Sequence, residues 1–152
     1  MNIGNTSCTS CSAGKFKNDA LTSCENCAAN HFPVSGASVC SICAPGKISN
    51  SGDIVCTDCD AGKFRDASSE FCRGCPENYF SENGASVCSA CTDGKISDPG
   101  DAECTCDVGQ FFNESQNACT TCSNLSYQDE ENNANTCKTC PPGNRLNTPY
   151  EC

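Results

Sequence analysis

Cysteine spacing is the feature that most constrains what this chain can fold into. The cysteines occur mainly as C-x2-C pairs, and the pattern C-x2-C-x12 recurs in register, as from Cys8 to Cys24 and from Cys24 to Cys40. They lie at positions 8, 11, 24, 27, 40, 43, 56, 59, 72, 75, 88, 91, 104, 106, 119, 122, 137, 140 and 152. Such a regular framework predicts a row of small cross-linked loops joined by short links.

The composition leaves little material for an ordinary hydrophobic core. The hydrophobic fraction is 37%, but 19 of those residues are cysteines, and Trp is absent. With a net charge of -10, a chain so poor in large apolar side chains would be disordered without cross-links. A cysteine content this high is typical of secreted proteins in which disulfides replace a core. We therefore expect a small disulfide-rich fold that is secreted or displayed at the cell surface.

A longer repeat is superimposed on the cysteine pattern. Residues 12–57 align without gaps on residues 60–105, and the two stretches share the segments AGKF, GASVCS and GKIS. A third and less regular copy begins at Asp107. Each copy therefore contains three different loops of the cysteine pattern. Repeats of this kind predict an elongated tandem array in which each loop mainly contacts its neighbours.

The third residue after each opening cysteine predicts a tight turn. Gly or Asn stands there in every loop except one, which has Leu125. The positions are Gly14, Asn30, Gly46, Gly62, Asn78, Gly94, Gly109 and Gly143. Gly and Asn are the residues that best tolerate a positive φ, so we expect a backbone reversal at this point of each loop.

The fifth residue after each opening cysteine is large and apolar. The residues are Phe16, Phe32, Ile48, Phe64, Phe80, Ile96, Phe111 and Tyr127, and the ninth loop has Arg145 instead. One such side chain per loop predicts a miniature core against the disulfides. Frequent Gly, Asn and Ser residues make helix improbable, so short two-stranded β-ribbons are the expected regular structure.

Two C-x2-C pairs can also form a four-cysteine zinc site, which is the alternative to disulfides. The pairs continue in register without separate four-cysteine modules, and one pair is shortened to Cys104-Thr105-Cys106. Glycosylation sequons also begin at Asn5, Asn113 and Asn124, which fits a secreted glycoprotein. These observations favour disulfides with no metal and no cofactor.

Charge and motifs exclude several classes of function. The chain has nine basic and 19 acidic residues, so no cluster of Lys and Arg is available to bind nucleic acid. No apolar run approaches the length of a membrane span, so direct membrane insertion is not expected. His31 is the only histidine, and Tyr79 stands at its place in the next copy of the repeat, which favours a structural role. The sequence contains no catalytic motif that indicates an enzyme.

The stretch from Cys75 to Cys119 resembles the EGF-like part of the cysteine-rich region of ephrin receptors. The resemblance rests on the GAS-x-C segment and on the C-x-C followed by G-x-F. Related loops occur in tumour necrosis factor receptor modules and in repetitive surface proteins of protists. The resemblance implies EGF-like modules at residues 27–74 and 75–121, a partial third module at 122–152, and the end of an earlier module at 1–26.

The resemblance also implies a disulfide pairing. In EGF-like modules the first cysteine pairs with the third, the second with the fourth and the fifth with the sixth. Transferred to this chain, the pairs are Cys11–Cys24, Cys27–Cys43, Cys40–Cys56, Cys59–Cys72, Cys75–Cys91, Cys88–Cys104, Cys106–Cys119, Cys122–Cys140 and Cys137–Cys152. Cys8 would be unpaired or bonded to another unit. The rival pairing closes each loop on itself, as in Cys11–Cys24 and Cys27–Cys40, and cysteine counting cannot separate the two.

Two classes of function fit these features. In the first, the chain is a non-enzymatic structural segment of a surface stalk, coat or extracellular filament. Its partners are then copies of itself arranged head to tail, and it can carry glycans. Near-identical tandem units favour this hypothesis. In the second, it is a receptor or adhesion ectodomain that binds a protein ligand. The third unit departs from the others at Tyr127, Arg145, Leu146 and Tyr150, which is compatible with that alternative.

Overall fold

The architecture is a succession of short two-stranded antiparallel β-sheets. The computed structural model describes residues 11–17, 23–34, 39–123, 126–128 and 136–140. Within these residues there are 14 strands and no helix. The strands are β1 (Lys15–Lys17), β2 (Cys24–Asn26), β3 (His31–Pro33), β4 (Cys40–Ile42), β5 (Lys47–Ile48), β6 (Thr57–Asp58), β7 (Lys63–Phe64), β8 (Arg73–Gly74), β9 (Tyr79–Phe80), β10 (Ser89–Ala90), β11 (Gln110–Asn113), β12 (Ala118–Thr121), β13 (Ser126–Tyr127) and β14 (Lys138–Thr139).

Each sheet is the two-stranded ribbon of a single loop. Strands pair in chain order, β1 with β2, β3 with β4, and so on to β13 with β14. In the β3–β4 pair, His31 lies opposite Ile42 and Pro33 lies opposite Cys40. The loop opened by Cys91 has no named strand pair, and a single bridge between Ile96 and Thr105 takes its place. The predicted disulfide-rich fold of tandem β-ribbons is confirmed.

The chain divides into two compact units, each made of segments that are separate in sequence. The first comprises Met1–Asp60, Phe64–Arg73 and Asn83–Val87. The second comprises Ala61–Lys63, Gly74–Glu82 and Cys88–Cys152.

Each disulfide between described residues closes one loop on itself, so six of the nine EGF-like pairs are wrong. The observed bonds are Cys11–Cys24, Cys27–Cys40, Cys43–Cys56, Cys59–Cys72, Cys75–Cys88, Cys91–Cys104, Cys106–Cys119 and Cys122–Cys137. Three of these are also in the EGF-like set: Cys11–Cys24, Cys59–Cys72 and Cys106–Cys119. The predicted pairs Cys27–Cys43, Cys40–Cys56, Cys75–Cys91, Cys88–Cys104, Cys122–Cys140 and Cys137–Cys152 are not formed. Cys140 is disulfide-bonded as well, while Cys8 and Cys152 lie outside the described residues.

The distance between the two cysteines of a loop fits this pairing. In the loop opened by Cys27, β4 returns antiparallel to β3 and Cys40 lies opposite Pro33. The Cα atoms of Cys27 and Cys40 are 5.8 Å apart, a separation that a disulfide spans without backbone movement. Cys43 already belongs to the next loop, where it bonds to Cys56. The cysteines in these bonds are also the ones that a four-cysteine zinc site would have used as ligands.

The predicted tight turns are confirmed at the described positions. Positive φ values occur at Gly14, Asn30, Gly46, Gly62, Asn78, Gly94 and Gly109. The apolar residues two positions later are only half-buried, as at Phe64 and Phe80. The fully buried apolar positions are instead half-cystines such as Cys27, Cys59 and Cys75. The miniature core of each loop is therefore formed mainly by its disulfide.

Close packing explains why some turns need Gly and others accept Asn. A Cβ atom added to Gly62 would lie 1.9 Å from the backbone oxygen of Gly100, two loops further along. The corresponding distance from Gly46 to the oxygen of Gly84 is 2.0 Å. At Gly94, the nearest atom among the described residues is the Cβ atom of Cys119, at 3.5 Å. The turn conformation is common to these loops, and among the described residues a backbone oxygen that would block a side chain is found at Gly14, Gly46 and Gly62.

We expect Gly62→Asn to destabilise the protein by about 1–3 kcal/mol or more, because a backbone oxygen blocks the new side chain. Asn tolerates the turn itself, as Asn30 and Asn78 show with φ of 60° and 64°. Gly94→Asn is the matched control and should cost much less. Thermal unfolding of the oxidised protein measures both variants. Equal destabilisation of the two variants would show that the positive φ at position 62, and not the contact with Gly100, is the reason for Gly there.

Candidate functional site at the loop junctions

Successive loops are joined by a repeated set of hydrogen bonds. Positions are counted here from the opening cysteine of each loop, so Gly62 is position 3 of the loop opened by Cys59. The amide at position 3 donates to the carbonyl oxygen at position 6 of the next loop, as from Gly62 to Ser81 at 2.8 Å. Equivalent bonds of 2.8–2.9 Å run from Asn30 to Ser49, Gly46 to Arg65, Asn78 to Ser97 and Gly109 to Gln128.

The side chain at position 6 returns a hydrogen bond to the preceding loop. The Ser81 hydroxyl donates to the carbonyl oxygen of Lys63 at 2.9 Å, and that of Ser97 donates to Tyr79 at 2.9 Å. Ser49 makes the same bond to His31 at 3.1 Å. In each case the acceptor is position 4 of the preceding loop. These serines are buried, with 3–6% of their surface exposed, so the bonds are shielded from competing water.

A third bond completes the junction in three of the loops. The amide of Gly84, at position 9, donates to the carbonyl oxygen of Cys59 at 2.8 Å. Gly100 and Gly52 donate in the same way to Cys75 and Cys27, at 2.9 and 3.1 Å. Because the disulfides identified here close single loops, these polar contacts hold neighbouring loops together.

Arg65 occupies position 6 where other loops have Ser. Its Nη1 atom donates to the carbonyl oxygen of Lys47 at 2.9 Å, which reproduces the serine bond. The same atom lies 3.3 Å from the oxygen of Ala44, and Nε donates to Ser69 at 2.8 Å. Only 3% of Arg65 is exposed, and its Nε and Nη1 atoms donate to carbonyl oxygens instead of water.

On the second strand of the same ribbon, the guanidinium of Arg73 contacts a ring and a carboxylate. The Arg73 guanidinium carbon lies 4.9 Å from the centre of the Phe64 ring, and its Nη2 atom donates to Asp66 Oδ2 at 2.7 Å. Hydrogen bonds from the hydroxyls of Ser68 and Ser69 to Asp66 Oδ1, and then Arg73, lower the pKa of Asp66 to about 2. The cluster holds a cation between a ring face and an anion.

The position before the closing cysteine is apolar and exposed in four consecutive loops. Val39, Val55, Phe71 and Val87 occupy it, with exposed fractions of 64%, 58%, 64% and 68%. Sequence analysis did not single out this position. The signal is its recurrence in four consecutive loops, outside the two positions that the loop pattern made conspicuous. Recurrent exposed apolar residues are typical of a contact surface.

The other residues singled out from the sequence have simpler surroundings. Asn113 ends β11, and its side-chain oxygen accepts hydrogen bonds from the amides of Ser115 and Gln116. Its glycosylation stays a prediction, while Asn5 and Asn124 lie outside the described residues. His31 is half-buried, with Nδ1 3.0 Å from the oxygen of Ala29. Within the described part of the chain, His, Cys, Asp and Glu side chains form no group of metal ligands.

The buried polar residue at position 6 is the junction element that sequence analysis missed. Ser49, Ser81 and Ser97 are equivalent in the repeat, so their recurrence was visible. Serine is also common in exposed loops, and composition gives no reason to place it in a buried contact.

Fold and junctions together define the class of this protein, an array of tandem disulfide-closed cysteine-rich repeats. Residues 109–150 match the family described as tyrosine-protein kinase ephrin type A/B receptor-like. This match covers the third and least regular copy of the repeat, and that family of cysteine-rich modules is non-catalytic. A comparison with curated protein sequences finds no match.

Both the family match and the disulfides indicate an extracellular type of domain. Across the residues described by the structure, no helix has the length and apolar character needed to cross a membrane.

We expect Ser81→Ala to weaken one junction by about 1–3 kcal/mol, because it removes the buried hydroxyl that donates to the carbonyl oxygen of Lys63. Hydrogen exchange at the Gly62 amide, which donates to the Ser81 carbonyl, should become about tenfold faster or more. Ser89→Ala is the control, since Ser89 is exposed on β10. If exchange at Gly62 is the same in both variants, the serine bond does not hold the junction.

We expect the Asp66 carboxyl to titrate at pH about 2 by NMR, below its ordinary value of 3.8. Because the folded-state pKa is lowered, ionised Asp66 stabilises the fold above pH 3.8, and this contribution is lost as the pH falls through about 2. Ser68→Ala removes the strongest cause and should move the midpoint upward. A midpoint unchanged by Ser68→Ala would contradict the assignment.

Proposed function

We propose that this chain is a non-enzymatic structural segment of an extracellular stalk, coat or filament, and that it associates with copies of itself head to tail. The observation that carries the proposal is the repeated junction. The same bond from position 3 to position 6 occurs five times, and it uses backbone groups that every loop possesses. A contact that recurs along one chain is also suited to recur between chains.

Charge favours association end to end over association side by side. The net charge is -10, so two acidic surfaces that approach laterally repel each other. The junction consists instead of hydrogen bonds between backbone groups and buried side chains. Its stability therefore depends little on the net charge of the two partners. In this proposal the repeating modules are the three-loop units at residues 27–74 and 75–121.

One observation favours the alternative of a receptor or adhesion ectodomain that is secreted or anchored at a cell surface. Val39, Val55, Phe71 and Val87 expose apolar side chains at equivalent positions of consecutive loops. In that case a protein ligand would cover these residues, and the junctions would serve only the internal stability of the array.

Sedimentation velocity and negative-stain microscopy of the oxidised protein test the two functions. We expect oligomers that grow in single file with concentration and persist from about 0.1 M to about 1 M salt, since screening affects lateral repulsion and not the junction bonds. Val55→Ser with Val87→Ser should leave this growth unchanged. A monomer at every concentration, or loss of association in the double variant, would contradict head-to-tail assembly and favour the exposed apolar surface.

A further inference from the structure

An open groove lies at the first two ribbons, within the first compact unit. Phe16 and Glu25 face each other across the β1–β2 pair, and both line the groove. Asn26, His31 and Val39 also line it, and its volume is about 400 Å³. Its lining thus combines an aromatic ring and apolar surface with one carboxylate.

The second copy of the repeat shows what this combination can hold. Phe64 and Arg73 are the counterparts there of Phe16 and Glu25. The guanidinium of Arg73 stacks on the Phe64 ring and binds the Asp66 carboxylate. In the first copy the ring remains, but the strand position opposite it carries an anion instead of a cation. Among the described residues that line the groove, none is Lys or Arg.

We propose that this groove binds an arginine side chain displayed by a partner protein. The partner's guanidinium would stack on the Phe16 ring and pair with the Glu25 carboxylate, as Arg73 stacks on Phe64 and pairs with Asp66. The exposed side chain of Val39 would contact the aliphatic stem. Lys15 and Lys17 are exposed on β1 and neither lines the groove, so the groove is anionic.

The charge of the whole chain supports a cationic partner. With a net charge of -10, the protein attracts basic proteins. The proposal does not depend on head-to-tail assembly, because the groove lies within one copy of the repeat. A monomeric chain would have the same groove.

The test is an NMR titration with Nα-acetyl-arginine methylamide, with the neutral isostere Nα-acetyl-citrulline methylamide as the control ligand. We expect saturable shifts of the Phe16 ring and Glu25 signals in the millimolar range with the arginine compound, and at least about tenfold weaker binding of the citrulline compound. Phe16→Leu keeps an apolar side chain but removes the ring, and should also weaken binding.

Glu25→Arg is the decisive variant. It reproduces the pairing of Arg73 with Phe64, so we expect the ribbon to fold and its own guanidinium to abolish binding of the arginine compound. Glu77→Arg makes the same charge change at an exposed position and should retain binding. Equal binding of arginine and citrulline compounds, or shifts that Glu25→Arg leaves unchanged, would overturn the proposal. Shifts of the same signals on concentration alone would identify a second copy as the occupant, and would also overturn it.

Discussion

Closure of each loop by its own disulfide is the constraint on which the rest of this structure depends. In an ordinary domain, buried Leu, Ile and Phe side chains offset the entropy lost on folding. Here the buried apolar residues of the described chain are all half-cystines. Cross-linking a loop of about 15 residues is worth on the order of 3 kcal/mol in the chain-entropy model. Every loop therefore carries much of its own stabilisation, and a two-stranded ribbon that would be marginal in isolation persists.

Local closure has a consequence for the junctions. EGF-like bonds would have tied the first two loops of each module covalently together, but the observed bonds leave these loops joined by two-residue links and hydrogen bonds. The contacts between loops therefore have to combine many weak interactions in a fixed arrangement. The buried serine at position 6 and the Gly residues at positions 3 and 9 provide them. These residues form the interface of the array, although the sequence presents them as ordinary turn residues.

The sequence predicted the elements of a loop but not how the loops connect. Positive φ at Gly62 and Asn78 followed from the residue types alone, because few others tolerate that conformation. The pairing did not follow, since both connectivities use the same cysteines. The shortened Cys104-Thr105-Cys106 favoured the EGF-like pairing by resemblance. The missing residue lies in the link, however, and the loops on either side both keep a separation of 13 residues.

The shortened link lies where the repeat becomes less regular. Elsewhere the cysteine that opens a loop donates its amide to position 3 of the loop before, as Cys91 does to Asn78. Beside the short link, Ile96 and Thr105 exchange both hydrogen bonds, and Cys119 donates to Asp93. Among the described residues, no backbone oxygen lies near Gly94 as one does near Gly46 and Gly62. The third copy diverges from the first two on the far side of this link.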